Sequence, residues 1–181
     1  RSSPAPVGRT LLATPVLSTR VPDAVIAGAE GVAVLTGRGE GSFLSPRAVP
    51  LRGPAPVALA AGRWDSRGGI DLVVLHGESP ASASVLVNQS NGNFLQLGPI
   101  ATGSDDATGL ALADVDGDRQ LDAVVSHGNA GRGREPGVYF LHGGPAGLAA
   151  ARPFLEGLAE SARALAVAND PLQVALGSPT Q

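Results

Sequence analysis

The chain has 181 residues, 43% of them hydrophobic but only 3% aromatic, with 25 Gly, 15 Pro and a formal charge of -3. That charge gathers neither nucleic acid nor anionic lipid. With no Cys, a thiol nucleophile, a disulfide framework and any thiolate metal site are excluded. No run of the ~18 apolar residues that would span a bilayer occurs. All thirteen basic residues are Arg and Met is absent, which reads as codon bias in a GC-rich genome. The chain opens RSSPAPVGRT, with neither initiator Met nor apolar signal core, and is read as a processed form or an excerpt of something longer.

Small apolar residues punctuated by turn formers predict short strands and tight loops. In chain order, DAVIAG begins at Asp23, an apolar run follows at Val32–Leu35, and GEGSF ends at Phe43. A second pass brings Val57–Ala61, DLVVLHG from Asp71, Val85–Val87 and SNGNF ending at Phe94. The third brings Leu110–Ala113, DAVVSHG from Asp122, Val138–Leu141 and a degenerate AARPF ending at Phe154. The three Asp residues are 48 and 51 residues apart, and the three Phe residues 51 and 60. The last spacing reads as stretched by a Gly/Arg-rich loop around Gly131 to Gly137. A partial fourth unit occupies Ala164–Gly177, where ALAVAND resembles LALADVD of the third with its loop shortened.

Each unit therefore predicts four short strands in a meander of about fifty residues, the size of a β-propeller blade. Such meanders leave an apolar face exposed unless they stack on neighbours. No useful helical periodicity occurs. Ala/Leu-rich Gly147–Ala166 is broken by Pro153 and Gly157 and is assigned mostly to the outer strand and connection of the third unit. The expected fold is all-β: one partial β-propeller over residues 1–181, of about three and a half four-stranded blades. Their bounds are about 7–50, 55–100 and 107–157, with a partial fourth at about 162–178. Three and a half blades do not close a ring, so further chain, or other copies, would complete it unless the sequence is a fragment.

The sharpest local motif runs from Asp114 through Asp116, Gly117 and Asp118 to Asp122. Hard cations such as Ca²⁺ take six to eight oxygen ligands, and alternate carboxylates on a tight loop supply them. Gly117 permits the sharp turn, and the Gln120 carbonyl offers a further oxygen. Clustered carboxylates repel one another without a cation. An EF-hand would need a Glu where Val125 stands and helical flanks where these are strand-like. The bland alternative is an Asp/Gly hairpin turn that binds nothing.

The order D-x-D-G-D-x-x-x-D, β-run, N-G-x-F resembles the FG-GAP/VCBS repeat of integrin α heads and many bacterial surface proteins. Three copies cover residues 23–154, with a weak partial copy at 164–177. The resemblance implies propeller blades whose Asp-rich loop joins two strands and holds Ca²⁺. The ligands would be Asp114, Asp116, Asp118 and Asp122, with Gln120 through its carbonyl. The second unit has Arg63, Asp65, Arg67 and Asp71 at the matching positions, and a guanidinium repels a cation. That loop is expected to be held by Arg–Asp pairs and to bind no metal. Unit one has no carboxylate before Asp23, and unit four keeps only Asn169 and Asp170. One competent Ca²⁺ site is expected.

Other chemistry is sparse. His76 and His127 stand 51 residues apart at equivalent strand ends. They could meet a metal, haem or ligand, or simply cap strands by bonding to backbone. His142 is the third histidine. No Gly-x-Ser-x-Gly elbow is present, and Ser126 and His127 point to opposite faces of a strand. Arg132 and Arg134 read as an exposed loop and not as a phosphate cradle. Trp64, the only Trp, could stack on a sugar or pack over the Arg-rich loop. Val115 at its matching position argues against a repeated sugar site.

The function expected is a non-catalytic, calcium-stabilised module outside the cytoplasm (secreted, periplasmic or at the cell surface). It would bind a protein partner or other copies of itself that complete the propeller. The alternative is a carbohydrate-binding propeller lectin. A hydrolase or redox accessory domain would follow only if the paired histidines held a metal.

Overall fold

The computed structural model describes residues 8–17, 20–67, 69–77, 79–128, 137–156, 164–169 and 172–177. Among them there is no helix. The first sheet is built from β1 (Gly8–Thr14), β2 (Asp23–Gly28), β3 (Gly31–Leu35) and β6 (Arg47–Val49), with a small hairpin of β4 (Gly37–Gly39) and β5 (Ser42–Phe43) inserted before the last strand. The second runs β7 (Pro56–Gly62), β8 (Asp71–His76), β9 (Ser82–Asn88) and β10 (Phe94–Ala101) without interruption. The third uses β11 (Ala107–Ala113), β12 (Asp122–His127), β13 (Gly137–Leu141) and β16 (Arg152–Glu156), with a second inserted hairpin of β14 (Gly143–Gly144) and β15 (Gly147–Leu148). β17 (Ala164–Asn169) pairs with β18 (Leu172–Gly177) in a separate antiparallel hairpin.

Each four-stranded sheet is thus an antiparallel meander, and its second strand begins at the Asp that marks the repeat. The first strands pack in series: β1 against β7, β7 against β11, and β11 against β17. Each of β1, β7 and β11 also breaks register at the equivalent point, between Gly8 and Thr10, Pro56 and Ala58, and Ala107 and Gly109. A repeated irregularity of this kind bends the strand and increases its twist.

Stacking explains the composition of the strands. β8 and β12 are buried along their whole length, as a strand covered on both faces must be, so alternation gives way to continuous apolar runs. β10, at the outer edge of its sheet, is nowhere fully buried and carries Gly98 and Pro99, consistent with the confinement of Pro to edge strands. One core cluster joins Val25, Ala27 and Val34 of the first sheet to Leu59, Leu72 and Val74 of the second. Another joins Val73, Leu75 and Val85 to Ala123, Val125 and Leu141 of the third.

The third unit is longer for two reasons. One is the connection from His127 to Gly137, ten residues on against six from His76 to Ser82; its segment 129–136, which contains Arg132 and Arg134, lies outside the described residues, as does Asp170. The inserted β14–β15 hairpin adds the rest: Phe154 follows the end of β13 by thirteen residues, against six between β9 and Phe94. The loop around Gly131 to Gly137 therefore does not carry the whole stretch. The segment 147–166 is divided among β15, β16 and β17, and 157–163 lies outside the described residues.

Candidate metal loop and the cleft beside it

The Asp that opens each second strand is buried, and in all three sheets its carboxylate makes the same pair of bonds. Asp23 accepts the backbone N–H of Leu17 through Oδ2 at 2.7 Å and that of Gly37 through Oδ1 at 2.9 Å. Asp71 accepts Trp64 N–H at 2.7 Å and Asn88 N–H at 2.7 Å. Asp122 accepts Val115 N–H and Gly143 N–H, both at 2.8 Å. One donor lies in the loop leading into the strand and the other at the end of the third strand or just past it, so the carboxylate ties the loop to the far side of the sheet. Charge-assisted bonds of this kind are the strong ones. The sequence points to Asp122 as a metal ligand, to Asp71 as a member of Arg–Asp pairs at the matching position, and to Asp23 as a repeat marker. Their shared role as a staple is decided by tertiary contacts.

Close approach is required where the staple closes. A Cβ on Gly143 would collide with the Leu121 carbonyl and crowd the Trp64 ring, and one on Gly37 would collide with the Pro22 carbonyl.

Around Asp122 the loop 114–121 joins two strands, as expected, and Gly117 turns with φ of 82°. Asp114 accepts N–H bonds from Gly117 at 2.8 Å and Arg119 at 2.9 Å. Asp116 accepts from Asp118 N–H at 3.2 Å, and Asp118 from Gln120 N–H at 2.8 Å. The Gln120 side-chain amide donates to Asp118 at 3.1 Å. The carboxylates of Asp114, Asp116 and Asp118 bring one oxygen each to within 4.8 Å of one another. Converging hard oxygen donors fit a hard cation such as Ca²⁺.

Sequence reasoning gave His142 no role here, yet its Nδ1 lies 2.9 Å from Asp116 Oδ2 and 3.5 Å from Asp122 Oδ1, with Nε2 3.7 Å from Asp118 Oδ2. It follows β13 directly, beside the residue that staples Asp122. Only the knowledge that the end of the third strand overhangs the acidic loop would have found it. Burial raises the Asp122 carboxyl above the usual range, opposed by the two N–H bonds and raised further by Asp116.

The paired histidines are buried and bonded internally. His76 Nδ1 lies 2.7 Å from the Pro54 carbonyl and Nε2 lies 3.0 Å from Ser84 Oγ. His127 sets Nδ1 2.9 Å from the Asp105 carbonyl and Nε2 3.1 Å from that of Thr102. Burial lowers both pKa values from the ordinary one, against the opposing pull of those carbonyls. The backbone-capping account of these residues describes them.

In the second sheet the loop at Arg63–Arg67 differs from expectation. Among the described residues neither Arg63 nor Arg67 forms an ion pair. Asp71 is bonded to backbone N–H groups, and Asp65 Oδ1 accepts the Arg67 backbone N–H at 2.9 Å. The loop is held by carboxylate-to-backbone bonds, not Arg–Asp pairs, because the buried staple already satisfies Asp71 and leaves the guanidinium groups in solvent. Trp64 is 8% exposed, packed in the core between the second and third sheets, and its indole N–H donates to the Gly144 carbonyl at 2.9 Å. It packs; its faces are not open to a sugar. Beside it a cleft of about 620 Å³ is lined by Arg63, Arg67, Arg119, Leu95, Leu97 and Pro145 among others.

Antiparallel four-stranded meanders, stacked through their first strands and stapled by a recurring buried Asp, define an all-β protein built from repeats. Residues 63–125, from the Arg63 loop into β12, match the family model of the FG-GAP-like repeat. No curated protein matches the chain.

Proposed function

We propose that this chain is a calcium-stabilised β-propeller module, non-catalytic and working outside the cytoplasm, that binds a protein partner or further copies of itself. The observation that carries the reading is an uncovered apolar face on the first sheet. Ala24 and Ile26 there are partly exposed, whereas Leu72, Val74, Ala123 and Val125 at the equivalent positions of the next two sheets are buried. Stacked sheets need a neighbour on each face, and further chain, a partner or a second copy would supply the missing one.

Asp114, Asp116 and Asp118 would hold the Ca²⁺, with the Gln120 carbonyl and Asp122 completing the set. The ion would neutralise the clustered carboxylates and fix the loop. A module dependent on Ca²⁺ suits compartments where the free ion is abundant. Among the described residues no helix is long and apolar enough to cross a membrane.

Thermal unfolding in excess Ca²⁺ and in chelator tests the calcium half of this reading. Binding to the folded state alone adds about 2.7 kcal/mol at a hundred times the dissociation constant, which is a visible shift in midpoint. Identical midpoints in the two conditions would remove the calcium claim.

A further inference from the structure

The cleft of about 620 Å³ lies between the second and third sheets, bounded by the β7–β8 loop, the β11–β12 loop and the β14–β15 turn. Three arginines line it: Arg63 and Arg67 from one loop and Arg119 from the other. None of the three forms an ion pair among the described residues. Asp65 is the one acidic group in the lining. The cleft is therefore cationic on a chain whose overall formal charge is -3.

Its other wall is apolar. Trp64, Val87, Leu95, Leu97 and Pro145 contribute, and Leu95 is 54% exposed. An apolar wall with a few charged groups converging on it is the usual make-up of a ligand site. The volume falls within the ordinary range of ligand sites, about 300–1,000 Å³. The two loops are also fixed in place. Trp64 donates both its backbone and its indole N–H. The Arg119 backbone, held at φ of 70°, donates to Asp114.

We propose that this cleft binds an acidic peptide segment, with its carboxylates on Arg63, Arg67 and Arg119 and a neighbouring apolar side chain against Leu95 and Leu97. The planar guanidinium matches a carboxylate in a two-pronged bond that a point charge cannot make. Peptide fits better than glycan because the apolar wall is mainly aliphatic. The one aromatic ring is buried and its N–H is already used, so no open face remains for a sugar to stack on. The proposal rests on the interaction-module reading and names the chemistry of the partner.

Trp64 reports on the cleft directly, being the only Trp in the chain. The probe is the peptide acetyl-Glu-Leu-Glu-Leu-Glu-amide, titrated while Trp emission is followed and checked by calorimetry. The control replaces every Glu with Gln. A saturable response is expected for the Glu peptide, weakened about tenfold by Arg67→Gln or Arg119→Gln and reduced by added salt. The Gln peptide is expected to bind at least tenfold more weakly. Equal binding of the two peptides, or no heat and no emission change, would overturn the proposal. So would tighter binding of a sulfated oligosaccharide than of the peptide. Sedimentation of the same preparations separates the two levels of the argument. A silent cleft in a chain that still self-associates through its first sheet overturns only the acidic-peptide site. A silent cleft in a chain that neither associates nor responds to Ca²⁺ removes the module reading as well.

Discussion

Leu11 and Leu59 occupy the same position in their sheets, each three residues before the partner of the staple Asp (Thr14 opposite Asp23, Gly62 opposite Asp71), yet Leu11 is 66% exposed and Leu59 5%. The first sheet presents to solvent the face that the second presents to its neighbour. Burying one Leu side chain is worth about 1.5–3 kcal/mol, so a neighbour that covers this face gains from doing so. Sedimentation velocity across a range of concentrations is expected to show self-association of the chain. Leu11→Asp is expected to abolish it with the circular dichroism unchanged, since an exposed site tolerates substitution within about 0.5 kcal/mol. Association that survives Leu11→Asp would place the interface elsewhere.

The Asp staple makes a prediction free of any metal. Asp71→Ala leaves the backbone N–H groups of Trp64 and Asn88 without their acceptor, and each buried orphan costs about 1–3 kcal/mol. Urea unfolding should show a loss of about 2–5 kcal/mol. Asp71→Asn, which keeps one acceptor oxygen, should lose less. Equal stability of Asp71→Ala and the parent would mean that the staple does not hold the sheet.

Gly143→Ala tests the close approach at the third sheet. The added methyl would meet the Leu121 carbonyl, and overpacking of this kind typically costs about 1–3 kcal/mol. Gly144→Ala, where a Cβ would find room, serves as the control and should be milder. If both variants unfold at the same urea concentration, the steric argument fails.

His76 sets a pH dependence. Its pKa is lowered by burial, with the Pro54 carbonyl opposing, so the unfolded chain takes up a proton first. Stability from this group is fully present above about pH 6.5, the unfolded value, and is lost as pH falls toward the lower folded value. The unfolding free energy should therefore drop between pH 7.5 and 5.5, and His76→Gln should flatten part of that slope. A slope untouched by the substitution would show that His76 is not the group responsible.

The acidic loops should respond to Ca²⁺ unequally. Asp116→Asn is expected to remove most of any Ca²⁺-induced rise in midpoint. Asp65→Asn, between Arg63 and Arg67, should leave it intact, because fixed positive charge on both sides opposes a cation. A Ca²⁺ response lost in both variants, or in neither, would contradict a single site in the third repeat.

Much of the fold was legible in the residues. Three Asp-led apolar runs fell on β2, β8 and β12, and the runs between them fell on β3, β9 and β13, because strand burial writes itself into consecutive side chains. The two inserted hairpins were not legible. GEGSF reads as part of a repeat signature, yet it forms the end of β4, the turn and β5, because Glu40 and Gly41, both at positive φ, turn the chain before the outer strand is reached. His142 escaped for a different reason: it meets Asp116 only when the end of the third strand folds over the loop, and no local pattern encodes that distance.

By itself the sequence determined the repeat, the all-β class and the acidic loop, since each depends on residues near in the chain and on the two-residue period of a strand. Only the tertiary structure decided that the repeated Asp is a staple, that Trp64 is tied to Gly144, and that Arg63, Arg67 and Arg119 share one cleft. The staple joins a loop to the far side of its own sheet, while the other two relations join different sheets, and the approach of one sheet to the next is set by packing of side chains far apart in sequence.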